Sequence, residues 1–208
     1  MFHEVDIDAW ERKSTYEFFL NYEDPFFNIT ANLDVTRLHR FCKENNLAYS
    51  LAALFLSVQS ANEIREFRLR MIDERVVEFD RVEATQTILN EDETFSFCYF
   101  PLTNDIFEFD RLGKAAREKY LALKTFDVET DRYDLIYYSS IPWVSFTSFK
   151  HASPRNNRQT IPRMVFGKMF DEGPVKKMPF SVEAHHALVD GIHVGKLFNL
   201  YQQKIDSL

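Results

Sequence analysis

The stretch SVEAHHALVDGIHVGK, Ser181 to Lys196, gathers side chains that can do chemistry. His185 and His186 stand together, and Asp190 follows His186 by four residues. Gly191, His193, Gly195 and Lys196 complete the run, in a chain with only 6 histidines and 5 glycines. Four chemistries compete for it. A metal site could use His186 and Asp190 on one helix face with His193 as a third ligand, but no HExxH pattern supports it. A phosphate loop needs four residues between its glycines and Ser or Thr after its lysine. Here three residues separate Gly191 from Gly195, and Leu197 follows Lys196, so that reading fails. A hydrolase triad lacks its G-x-S-x-G elbow. The fourth is a lone general base: one rigidly held imidazole can remove a proton from a hydroxyl near neutral pH. Such a base needs a hydrogen-bond donor opposite it for the developing oxyanion. A packing histidine is the plain alternative. It is the reading for His185, whose side chain points away from that of His186 if the strand continues.

The elements around this run must hold it still. Met178 to His186 reads as a strand and Val189 onward as a helix, with Ile192, Leu197, Leu200 and Tyr201 in a stripe. Helical patterns also run from Asp8 to Tyr22, after Asp34 as N-cap, from Ser50 to Ile64, and from Asp105 to Lys124. The Ser50–Ile64 segment is apolar nearly all round and predicts a buried helix. Strand patterns fall at Phe26–Leu33, at 94–100 and at 134–149, with a hairpin over Phe67–Phe79 turning near Asp73-Glu74. Irregular interleaving of strands and helices predicts an α/β two-layer sandwich, a mixed β-sheet with helices packed on it. No repeat or linker divides the chain, which reads as a single domain over 1–208.

Composition narrows the partners. A net charge of −7 disfavours nucleic acid. The longest apolar run, Leu47 to Val58, is too short to span a bilayer. The start of the chain lacks the basic and apolar regions of a signal peptide. Cys42 and Cys98 have no metal spacing and form no disulfide framework, which suggests a reducing, cytoplasmic setting. The 21 phenylalanines are mainly core filling, and suit subunit contacts and apolar pockets as well.

The run H-H-A-L-V-D-G-x-H-V-G-K resembles the active-site segment of chloramphenicol acetyltransferases, and more distantly the H-x-x-x-D-G of dihydrolipoamide acyltransferase catalytic domains. AWERKSTYEFF resembles the first family's tryptophan–arginine segment, and SSIPWVSFTSF its P-W-V-x-F-x-S-F strand. ETFSFCYF and PRMVFGKMF match more loosely, and all lie in family order. The resemblance implies a homotrimer with active sites between subunits. It implies direct acetyl transfer from acetyl-CoA, as co-substrate and without metal, to the hydroxyl of a small acceptor, chloramphenicol. His186 matches the general base and Ser148 the oxyanion donor. Asp190 and Arg12 match a structural ion pair. Phe18, Phe19, Phe97 and Val165 fall at acceptor positions, and Lys168 and Met169 at coenzyme positions. Lys176, Lys177, Arg155 and Arg158 are further basic candidates for its phosphates.

The chain also departs from the family. Phe19 stands where Tyr is common, Val165 where Thr is, Met169 where an aromatic is, and Phe97 where a smaller residue is. Loss of polar handles and filled volume change which acceptor is held. Two further readings follow: a same-fold acyltransferase for another hydroxyl or amine, or a trimer without turnover.

Overall fold

A computed structural model describes residues 1–123, 129, 131–152 and 159–208. Lys124, the end of one expected helix, and the basic candidates Arg155 and Arg158 lie outside the described residues. Strands β1 (Phe2–Glu4), β3 (Leu69–Ile72) and β4 (Arg75–Phe79) form a small sheet in the order β1-β4-β3. The main sheet runs β2 (Phe26–Asp34), β10 (Val175–His185), β8 (Arg163–Gly167), β7 (Leu135–Ile141), β5 (Glu83–Leu89), β6 (Phe95–Phe100). Short β9 (Phe170–Glu172) pairs with the start of β10. The β5–β7 and β7–β8 pairs are parallel and the rest antiparallel, so the sheet is mixed, as expected.

Alternation sorts the sheet into two faces. Phe180, Val182 and Ala184 of β10, Met164 and Phe166 of β8, and Ile136 and Tyr138 of β7 join the hydrophobic core. Helices α3 (Tyr49–Asn62) and α5 (Gly191–Asp206) supply the other half of that core, flanked by α2 (Thr36–Asn45) and α4 (Ile106–Leu123). In α3, 10 of 14 residues are buried, matching its all-round apolar sequence. Tyr201 of α5 donates its hydroxyl proton to the Ala53 carbonyl at 2.9 Å, and Ser57 and Tyr138 share a hydrogen bond at 3.0 Å. The intervening residues of the sheet, among them Ser139, Val165, Ser181 and Glu183, belong to the opposite face.

Local chemistry moves several boundaries. Helix α1 covers only Lys13–Phe19, not Asp8–Tyr22. Asp6 accepts the Asp8 backbone N–H at 3.0 Å, and turns through Trp10 hold the preceding segment. Asp34 sits one residue before the cap of α2 yet still accepts the Thr36 N–H at 2.9 Å. The expected strand over 134–149 stops at Ile141, because Pro142 has no N–H to continue a ladder. Asp73 and Glu74 both adopt positive φ, 49° and 67°, and make the tight hairpin that the sequence predicts there.

Candidate active site

Strand β10 lies between β2 and β8 and ends at His185, so the next residue inherits a rigid mount. The His186 N–H donates to the Pro25 carbonyl at 2.9 Å. Asp190 is the N-cap of α5, and its backbone N–H donates to His193 Nδ1 at 2.9 Å. His193 Nε2 faces Glu66 at 3.4 Å. Its spacing admits a metal ligand, but here it closes a helix cap. The Asp190 carboxylate turns instead to Arg12, whose Nη1 bonds Oδ2 and whose Nη2 lies 3.2 Å from Oδ1. Arg12 Nη2 also reaches the His186 and Ala187 carbonyls at 3.4 and 3.5 Å. Burial lowers the Arg12 pKa, against the charge of Glu66.

The family resemblance implies Asp190 with Arg12 alone, and the structure adds His186. The ring's Nδ1 lies 3.1 Å from Asp190 Oδ1, off the line of a good hydrogen bond. Nδ1 is sealed from solvent, which leaves Nε2 as the open nitrogen. Phe19 stacks on the imidazole at 3.9 Å and 8°, and Phe27 meets it at 4.6 Å. Phe18 stands edge-on to Phe19 at 5.1 Å and is 57% exposed. One imidazole face is thus fixed by an aromatic plane.

His185 is buried, as alternation predicts, and its Nδ1 accepts the Ala187 N–H at 3.3 Å. Burial, then the neighbouring His186, drives its pKa down to about 4. In the unfolded chain it titrates near 6.5. As pH falls the unfolded state takes the proton first, so stability present above pH 6.5 is lost between there and pH 4. The loss is up to about 3 kcal/mol at about 1.4 kcal/mol per pH unit. His185→Asn, which keeps an acceptor for Ala187, should flatten this acid limb in urea titrations at pH 7 and 4.5. Equal losses in both proteins would refute it.

A second group lies across the sheet. Thr87 pairs with Phe97, Ser139 with Val165, and Ser181 with both Val165 and Thr30. The β5–β7 ladder ends at Gln86 and Tyr138. Beyond it side chains bridge the strands: Thr87 and Ser139 hydroxyls at 3.3 Å, and Gln86 Nε2 to Ser140 Oγ at 3.0 Å. A groove of about 500 Å³ opens where the strands part, walled by Thr87, Ile88 and Leu89 on one side and Ser140, Pro142 and Trp143 on the other. Tyr49, Ser50 and Arg117 close its helix side, and Lys168 and Met169 line it from the β8–β9 turn. Val165 is fully buried beside Ser139, so it supports that serine rather than walling an open pocket.

Ser148 occupies a different setting. It is exposed, on the loop after β7, and makes no side-chain hydrogen bond among the described residues. That loop is tied down nearby. The Ser145 hydroxyl donates to the Lys168 carbonyl at 2.9 Å. The His151 N–H donates to Glu183 at 3.1 Å, and Glu183 pairs with Arg163 at 2.9 Å. Burial raises the Glu183 pKa, but its bonds from His151 and the charge of Arg163 outweigh that and lower it.

The sequence-predicted residues therefore fall into separate groups within one chain. His186, Asp190, Arg12, Phe18 and Phe19 form one. Phe97 and Val165 share the transverse row with Ser139. Lys168 and Met169 belong to the groove, and Lys176 and Lys177 pair with Asp171 and Glu172. Five residue steps, about 17 Å of extended chain, separate the row at Ser181 from His186. Sequence reasoning missed Ser139, Thr87 and Arg117. The signal for Ser139 was Pro142: a strand that stops there makes Ser139 and Ser140 its last hydroxyls.

Comparison with known proteins fits this arrangement. The family model for chloramphenicol acetyltransferase matches residues 1–202. A chloramphenicol acetyltransferase of Proteus mirabilis is 32% identical, over 97% of this chain and 94% of its own. A solved chloramphenicol acetyltransferase superposes with a TM-score of 0.88 at 26% identity, over 98% of this chain and 99% of that one. A probable dihydrolipoamide acetyltransferase from Listeria monocytogenes shares the fold, with a TM-score of 0.63 at 16% identity over 99% of this chain and 94% of its own. The mixed sheet, the His186–Asp190–Arg12 cluster and the match over nearly the whole chain lead to one assignment: this chain belongs to the chloramphenicol acetyltransferase family and is an acyltransferase.

Proposed function

We propose that the chain transfers acetyl from acetyl-CoA directly to a hydroxyl of chloramphenicol, with His186 as general base. The observation that carries this is the imidazole itself: stacked on Phe19, Nδ1 turned to a carboxylate that Arg12 already neutralises, and Nε2 open. Nε2 takes the hydroxyl proton as the oxygen attacks the thioester carbonyl carbon. A serine O–H then bonds the carbonyl oxygen while it bears negative charge. When the C–S bond breaks, the imidazolium returns its proton to the leaving sulfur. A thioester carries a good leaving group, so holding both substrates around one base suffices and no acyl-enzyme is needed.

Ser139 suits the oxyanion role better than Ser148. It is held in a strand, with the Thr87 hydroxyl in contact, whereas Ser148 sits on an exposed loop. The groove suits the long thiol arm of coenzyme A: apolar walls, a few hydroxyls and amides, and Lys168 exposed for phosphate. Because His186 and the Ser139 row lie apart in one chain, the complete site joins two copies. This supports an oligomer of single-domain chains spanning 1–208, a homotrimer by the family resemblance, with Phe18, Trp143 and Val144 as exposed apolar contacts. Free Cys42 and Cys98 and the donor itself accord with a cytoplasmic protein.

A second reading keeps the chemistry and changes the acceptor to another small hydroxyl or an amine. It is favoured by Phe19, which offers only a ring face to His186, and by the apolar Val165 beside Ser139. Thiol release from acetyl-CoA separates the two. Release with chloramphenicol supports the first, and release only with other acceptors the second. A folded oligomer that releases no thiol with any acceptor refutes both.

A further inference from the structure

Arg117 rises from α4 and reaches between α3 and β5 to the wall of the groove. Nη1 donates to Ser50 Oγ at 2.9 Å and Nη2 to Gln86 Oε1 at 3.1 Å. The guanidinium also lies 5.8 Å from the Phe100 ring centroid. Both of its hydrogen-bond partners are neutral, and no carboxylate among the described residues pairs with it. Asp110 is engaged by Lys114 at 2.6 Å and by the Ala48 N–H at 2.8 Å. Cys98 supplies no negative charge near neutral pH, because burial pushes its thiol up to about 12. Burial lowers the pKa of Arg117 itself, with Cys98 and Asp110 opposing.

A guanidinium has five N–H donors and no acceptor. Ser50 and Gln86 use two of them, and Nε is sealed from solvent without a partner. The spare capacity that a ligand can reach is on the Nη groups. A cation among apolar walls is costly to hold until something polar bonds it. The acyl donor assigned to this groove carries phosphates at one end and amide carbonyls along its arm. Lys168 is exposed and meets the phosphate requirement in solvent, whereas Arg117 is half-buried, between helix and sheet.

We propose that Arg117 is a donor-binding residue, whose Nη groups hydrogen-bond an amide carbonyl of the pantetheine arm while Ser50 and Gln86 hold the guanidinium in place. This rests on the coenzyme A reading of the groove. Charge-assisted bonds of this kind are worth roughly tenfold or more in affinity.

The test compares the full-length protein with Arg117→Met and Arg117→Lys. The Met variant should raise the Kd of coenzyme A, measured by calorimetry, and the KM of acetyl-CoA by about tenfold, with kcat and the acceptor KM nearly unchanged. The Lys variant should fall between, and carries the test if the Met variant melts early. S-acetylpantetheine, which keeps the amides and lacks the phosphates, should lose the same factor. S-acetyl-2-mercaptoethanol, which has no amide, should lose nothing. Unchanged coenzyme A binding in folded variants overturns the proposal, as does an equal loss with the amide-free thioester. If the unaltered protein does not bind coenzyme A, the donor reading itself fails and this proposal falls with it.

Discussion

His186→Ala should lower kcat by about 10²–10⁴-fold, the usual worth of a positioned general base. KM for both substrates should move little, because the ring acts on a proton that shifts only during reaction. The variant should stay folded. The backbone N–H of residue 186 keeps its bond to Pro25, and Arg12 keeps both the Asp190 carboxylate and the neighbouring carbonyls. His186→Gln adds a control, since an amide fills similar space and cannot accept the proton. Rates of thiol release with saturating acetyl-CoA measure both. A His186→Ala protein that retains a tenth of the native kcat would show that another group removes the proton. In that case the stack on Phe19 would be packing and nothing more.

The same residues explain why this part of the site was readable in the sequence. His186, Asp190 and Gly191 are close in the chain, and the strand-to-helix junction that holds them follows from local pattern. His185 could be separated from His186 by strand alternation alone. Arg12 could not: it lies 178 residues from Asp190, and only family likeness joins them. The contact of His186 with Asp190 was also hidden, because it depends on how a carboxylate already held by arginine is turned. The buried helix α3 was legible from its apolar surface, and the hairpin at Asp73-Glu74 from its position. The shortened α1 was not, since Asp6 caps a turn where periodicity suggests helix.

The groove was illegible for a different reason. Strands β5 and β7 are distant in sequence, and their parting after Gln86 and Tyr138 is a property of the pair. Nothing in either segment announces that Thr87 and Ser139 will face each other as hydroxyls instead of pairing as backbone. Arg117 looked like one more charge on a helix, yet its side chain is turned inward to Ser50 and Gln86.

Ser139→Ala should lower kcat by about 10²-fold or more, the scale of one lost oxyanion donor, while Ser148→Ala stays within about twofold of the native rate. The contrast follows from placement. An oxyanion donor contributes only if its O–H is already aimed when charge appears, so that no reorganisation is needed at that moment. Ser139 meets this requirement: it is fixed by pairing with Val165, its hydroxyl lies 3.3 Å from that of Thr87, and it directly precedes Ser140 of the groove wall. Ser148 has an exposed side chain on a loop and, among the described residues, no bond to orient it. Ser139→Thr keeps a hydroxyl in a strand that accepts β-branched residues, and should recover part of the rate that alanine loses. Thermal melts should stay close to native for all three, so that the change in kcat reports chemistry. The reverse result, a rate lost with Ser148→Ala and kept with Ser139→Ala, would restore the loop serine to the role and mean that the loop closes over the donor only when a second copy of the chain is present.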